Sequence, residues 1–159
     1  MRRKRQAGFT LIELMVTLVI VAVLGMLTVP VVEVTLQRGK ERDLRHALRE
    51  LRDALDAYKR ASEEGTIETA NDASGYPPNL EMLVEGVLLR DDSKKGKLYF
   101  LRRIPRDPVN DQPDLSPSAT WGKRSFASEA SDPREGDDIF DVYSMSDKTG
   151  LNGIPYKAW

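Results

Sequence analysis

The side chains that could carry out covalent chemistry are few. The 159 residues include one histidine, His46, and no cysteine. A serine–histidine nucleophile would therefore rest on His46 alone, inside a charged run of helical period, and no triad can be assembled around it. The lack of cysteine removes thiol chemistry and most zinc sites, and it denies an exported domain any disulfide staple. Paired carboxylates such as Asp137 and Asp141 are the remaining hydrolytic option. They fall in what reads as a loop and a strand edge, so no catalytic residue is assigned and the chain is read as a non-enzyme.

Two groups of carboxylates carry other chemistry. Asp132, Glu135, Asp137, Asp138, Asp141 and Asp147 crowd one loop-rich stretch. Loops dense in aspartate and backbone carbonyls offer the oxygens that calcium takes, but no EF-hand spacing is present and a solvated loop has the same composition. The second group is a single residue, Glu13, in Gly8-Phe9-Thr10-Leu11-Ile12-Glu13-Leu14. An ionised carboxylate is costly to bury among apolar side chains, so Glu13 either stays at the headgroup level or finds a partner. Cleavage after Gly8 would create such a partner, a positive amine on Phe9. An amine and a carboxylate that enter an apolar environment together lower each other's burial cost. Glycine before the bond leaves the backbone open to a protease.

The elements that must position these residues follow from hydropathy and period. Leu14 to Val32 carries no charged residue, and at ~1.5 Å per residue a helix of that length can cross a hydrocarbon core. The basic block MRRKR precedes it, which keeps the N-terminus cytoplasmic and sends the C-terminal portion across. The apolar run is too long for a cleaved signal peptide and has no A-x-A-like exit. A plain signal anchor fits its length and orientation but does not account for the Gly8–Glu13 segment. Pro30 lies within the run, removes one helix donor and clashes with the carbonyl of Met26, so a kink or local unwinding is expected.

Beyond Pro30 the pattern becomes amphipathic. Leu44, Leu48, Leu51, Leu55 and Tyr58 recur at steps of four and three, beside Ala47, Ala54 and Ala61. That stripe predicts a helix face packed on a sheet, ending near Gly65 in a left-handed cap. Asn79 is expected to cap a short helix through about Glu85. The prolines of Tyr99 to Pro108 exclude a continuing helix, and that segment is expected to run along a sheet edge. Strands are expected near Trp121–Ser128 and Ile139–Ser146. Arg2, Arg3, Lys4 and Arg5 hold four positive charges ahead of any acid, so loss of residues 1–8 would take the formal charge from −1 to −5. A mildly acidic product argues against nucleic acid as a partner.

The run K-R-Q-A-G-F-T-L-I-E-L resembles the prepilin leader and cleavage motif of type IV pilins and type II secretion pseudopilins. Y-P, L-R-R-I-P-R-D-P, W-G and F-D-V-Y-S extend the resemblance, through most of the chain, to the major (G-type) pseudopilins of type II secretion. The resemblance implies an α+β, pilin-like fold: a long N-terminal helix, half in the membrane and half amphipathic, packed on a small C-terminal antiparallel sheet with extended loops. It implies a leader (1–8) cut at Gly8–Phe9 by a prepilin peptidase, with Phe9 then methylated. A transmembrane and assembly helix (9–32) follows, and then a periplasmic domain (33–159). Glu13 would pair with the amine of a neighbouring subunit, and Pro30 would give flexibility to the packing helices.

The implied protein is a single-pass inner-membrane subunit with a cytoplasmic N-terminus. It self-assembles into a pseudopilus that drives export of folded proteins, with minor pseudopilins, the platform protein and membrane lipid as partners. Presence of Glu13 favours a shaft subunit over a tip-initiating one. The alternative within the same class is a type IV pilin for surface pili, adhesion, motility or DNA uptake. The resemblance also implies calcium at a C-terminal loop, with Asp132, Asp137, Asp138, Asp141 and Asp147 as candidate ligands. The tail departs from that pattern: Asn152 to Trp159 holds no acid, and Lys157 stands where one is expected.

Overall fold

The longest element is a single helix, α1, over Leu11–Glu63. The computed structural model describes residues 8–68, 74–90 and 96–159, and the side chains of these except 26–31. Residues 1–7 of the expected leader therefore lie outside the described residues, as does the side chain of Pro30, whereas the backbone runs on as helix through Pro30 without the local unwinding expected there. The chain divides into two units, residues 1–38 and 39–159.

In the first unit the described apolar side chains of α1, from Leu11 to Leu24, are exposed. Among the described residues no helix is long and apolar enough to cross a membrane. The expected 9–32 span includes residues 26–31, whose side chains are not among those described.

In the second unit α1 buries one stripe. Leu44, Ala47, Leu48, Leu51, Ala54, Leu55, Tyr58 and Ala61 are all buried, the face that their three- and four-residue spacing marks. They pack in one core with Ile67, Leu80, Leu83, Val87, Leu101, Val109, Trp121, Ile139, Val142 and Tyr156. Fully burying one such leucine contributes about 1.5–3 kcal/mol, so this face holds the upper half of the helix in place. The helix stops through a Schellman arrangement. Thr66 N–H donates to Ala61 O at 2.9 Å and Gly65 N–H to Ser62 O at 3.1 Å, with Gly65 at φ 68°.

A short helix, α2 (Glu81–Glu85), follows the proline turn. Asn79 Oδ1 accepts the N–H of Met82 at 3.0 Å, satisfying one of the donors at the start of that helix. Two antiparallel ribbons complete the fold. Strand β1 (Val87–Leu88) pairs with β2 (Lys97–Leu98), and β3 (Trp121–Arg124) pairs with β4 (Asp141–Ser144). The architecture is the expected α+β, pilin-like one, with two small separate sheets where a single one was expected. The strands are shorter than the residue types suggested. β3 ends at Arg124 because the next N–H, of Ser125, donates to Arg134 O at 2.9 Å and not across to β4.

The proline segment between β2 and β3 is held by side chains. Trp121 Nε1 donates to Pro105 O at 2.8 Å, and Thr120 Oγ1 accepts the Asp107 N–H at 3.1 Å. In the β3–β4 register Gly122 lies opposite Tyr143, and a Cβ at Gly122 would come within 2.4 Å of the tyrosine ring. Glycine there lets the ring lie flat across the strand.

Candidate functional site

The residues expected to be processed and to drive assembly stand at the start of α1. Gly8, Phe9 and Thr10 precede the helix and are exposed, and Phe9 is 81% exposed. Among the described residues a Cβ at Gly8 would meet nothing within 4 Å. Thr10 begins the helix: its Oγ1 accepts the Glu13 N–H at 3.3 Å and its carbonyl accepts the Leu14 N–H at 3.2 Å. This is the threonine half of a T-x-x-E capping box, a role the sequence analysis did not assign to Thr10 although the spacing shows it. The cap fixes Glu13 in the first turn, where the helix dipole favours a negative charge by about 0.3–1 kcal/mol. Farther along, Thr17 turns its hydroxyl onto Leu14 O at 2.9 Å, which satisfies its own donor on that apolar surface.

The candidate calcium ligands are not gathered. Among the described residues no group of three or more His, Cys, Asp or Glu side chains is arranged to hold a metal. Four of the five aspartates are engaged by donors. Asp141 takes Arg52 Nε at 2.8 Å on one oxygen and Arg124 at 3.3 Å on the other. Asp138 accepts the Ser125 hydroxyl and the Phe126 N–H. Partial burial works against its charge, but those bonds, with one from Ser74, outweigh it and hold the carboxyl below the usual range. Asp132 pairs with Arg134 and Asp147 with Lys157. Asp137 is exposed on the open cavity formed by the loop from Ser125 to Asp137. Calcium takes about six to eight oxygen ligands, and this donor set does not fit that demand.

Two further residues organise the second unit and carry no motif of their own. Asp107 is buried, with Ser144 Oγ donating to its Oδ2 at 2.7 Å and Val109 N–H to its Oδ1 at 2.9 Å. Burial pushes its carboxyl above the usual range, more than these bonds draw it down. Glu41 is buried on α1 and accepts donors from the C-terminal tail. A carboxylate in a charged helical run reads as solvated, and only a fold that lays the tail over it shows otherwise. His46 is exposed on α1.

Residues 3–29 match the prokaryotic N-terminal methylation motif, a window that contains Gly8, Phe9 and Glu13. The chain is similar to type II secretion system core protein G of Pseudomonas aeruginosa, 31% identical over 140 residues that cover 86% of this chain and 91% of the relative. It is 32% identical to the protein of that name from Dickeya chrysanthemi over 162 residues, 94% of this chain and 96% of the relative. The Klebsiella michiganensis protein is 29% identical over 145 residues, covering 87% and 94%. No solved structure matches the chain.

Proposed function

The chain belongs to the type II secretion system core protein G family, and from that membership we propose how this pseudopilin subunit is processed and assembled. A prepilin peptidase cuts Gly8–Phe9, the Phe9 amine is methylated, and residues 9–32 anchor the subunit in the inner membrane. The N-terminus faces the cytoplasm and the domain from residue 33 onward faces the periplasm. The subunits then assemble from the membrane into a pseudopilus that drives export of folded proteins. Minor pseudopilins, the platform protein and surrounding lipid act as partners. The role is structural, with no catalytic step assigned to any residue.

The observation that carries the proposal is the single acid of the matched motif. Glu13 lies in the first turn of α1, four positions after Phe9, amid exposed apolar side chains. An unpaired charge at the centre of a bilayer costs about 2.5–3.5 kcal/mol on insertion scales. Pairing with the Phe9 amine of a neighbouring subunit offsets that cost as both helices leave the lipid. The same pairing sets the axial register, because a subunit shifted along the filament leaves both charges alone. Glu13→Ala tests this: it should insert and be cleaved as the wild type is, yet give few filaments. Wild-type filament yield from that variant would refute the pairing. A clean deletion tests the system itself, since secreted proteins should accumulate in the periplasm while surface pili and twitching stay normal.

A further inference from the structure

The C-terminal tail is fastened to α1 by the chain's own side chains. Glu41, 4% exposed, accepts the Leu151 N–H at 2.7 Å and the Tyr156 hydroxyl at 3.1 Å on the same oxygen. One turn along α1, Arg45 stands 3.7 Å from the other Glu41 oxygen, and its guanidinium lies 4.3 Å from the centre of the Trp159 ring. Arg52 donates to Trp159 O at 2.9 Å and to Val142 O at 3.3 Å, joining the chain end to β4. Within the tail, Gly150 N–H donates to Ile154 O at 2.9 Å and Tyr156 N–H to Lys148 O at 3.1 Å. Trp159 packs edge-on to Tyr156 at 5.0 Å and covers Gly150, where a Cβ would come within 2.5 Å of the indole.

The charges around this loop are those a divalent cation would otherwise meet, and they are already balanced. Lys157 Nζ lies 3.2 Å from Asp147, and Lys148 pairs with Asp111. Arg52 and Arg124 share Asp141. The two lysine pairs are exposed and add little stability of their own, whereas the arginines on Asp141 are half-buried. Their effect is local: an incoming calcium ion would have to displace an ammonium or a guanidinium from Asp111, Asp141 or Asp147, and among the described residues the aspartates do not converge on one point.

We infer that the loop and tail from Asp147 to Trp159 are locked by Glu41, with Lys157 as a tethered cation, and that the folded domain has no calcium requirement. Glu41 does the holding, because it is buried and its partners lie 110 and 115 positions away in the chain. The consequence for the pseudopilus rests on the proposed function above: a subunit locked in this way is competent to assemble whatever the calcium level of its compartment.

The test is thermal unfolding of the full chain in detergent, with excess calcium or with EGTA. The wild type should show a Tm difference below about 1 °C, whereas a ligand at a hundred times its Kd would raise Tm by roughly 5 °C or more. Glu41→Ala should lower Tm by several degrees in both solutions. If that variant does not fold, Tyr156→Phe removes one of the two bonds to Glu41 and should give a smaller drop, again in both. A calcium-dependent rise in the wild type overturns the inference, and so does an unchanged Tm in Glu41→Ala. Melting does not depend on filaments, so failed assembly of a normally melting protein would count against the proposed function and not against the lock.

Discussion

Tyr156 donates its hydroxyl at 3.1 Å to the carboxylate of Glu41, a residue 115 positions earlier in the chain. The contact joins the amphipathic half of α1 to the last turn of the protein, and both residues are buried. The fold is thus closed between its helix and its C-terminus by hydrogen bonds, where cysteine-containing domains would use a covalent staple.

The stripe on α1 predicts a sharp contrast along one helix. Leu51→Ala removes a side chain that is 0% exposed and should cost about 2–5 kcal/mol, since the cavity adds to the lost transfer energy. Leu36→Ala, at a position 64% exposed, should stay within about 0.5 kcal/mol. Urea unfolding of both variants in detergent measures the difference.

Arg52 predicts a failed conservative substitution. Its guanidinium reaches Asp141, the Val142 carbonyl and the Trp159 carbonyl at once. Lysine has one ammonium and no planar fork, so Arg52→Lys should lose most of what Arg52→Ala loses, about 1–2 kcal/mol. Equal stability of the lysine variant and the wild type would show that charge alone matters there.

Asp107 and Asp138 predict opposite pH signatures. Burial raises the Asp107 carboxyl above its ordinary 3.8. A group raised on folding contributes stability that is complete below its unfolded value and is lost as pH rises through its folded value. Asp107→Asn has no such dependence, so its Tm relative to the wild type should improve as pH climbs through that window.

Asp138 is burdened by desolvation but is held below 3.8 by bonds from Ser125, Ser74 and backbone N–H groups. Its contribution is therefore complete above the unfolded value and is lost as pH falls through the lowered folded value. Asp138→Asn should fall short of the wild type most at neutral pH and least in acid. Tm profiles across the acid range separate the two cases.

Thr10 predicts a local effect at the processing site. Thr10→Ala deletes the oxygen that accepts the Glu13 N–H and should cost the first turn about 1 kcal/mol. Cleavage should persist, because Gly8 is exposed in either case. Filament yield should fall less than in Glu13→Ala, which removes the charge itself. Immunoblots of precursor and mature forms, beside sheared-filament yields, report both quantities.

The sequence by itself determined the features that depend on neighbours in the chain. The apolar run, the Gly8–Phe9 motif with Glu13, the buried stripe from Leu44 to Ala61, the stop at Gly65 and the cap at Asn79 all rest on spacings of a few residues. Helix period and turn chemistry are local, so residue type decides them. Tertiary structure decided the rest. The aspartates from Asp132 to Asp147 read alike as a chain, yet the fold sends Asp141 to two arginines, Asp138 to a hydroxyl and a backbone N–H, and Asp147 to Lys157. Glu41 and Asp107 look like surface acids until partners 110 and 37 positions away bury them. The environment of a carboxylate is set by whatever the folded chain brings within about 3 Å of it, and for these residues that is chain from far along the sequence.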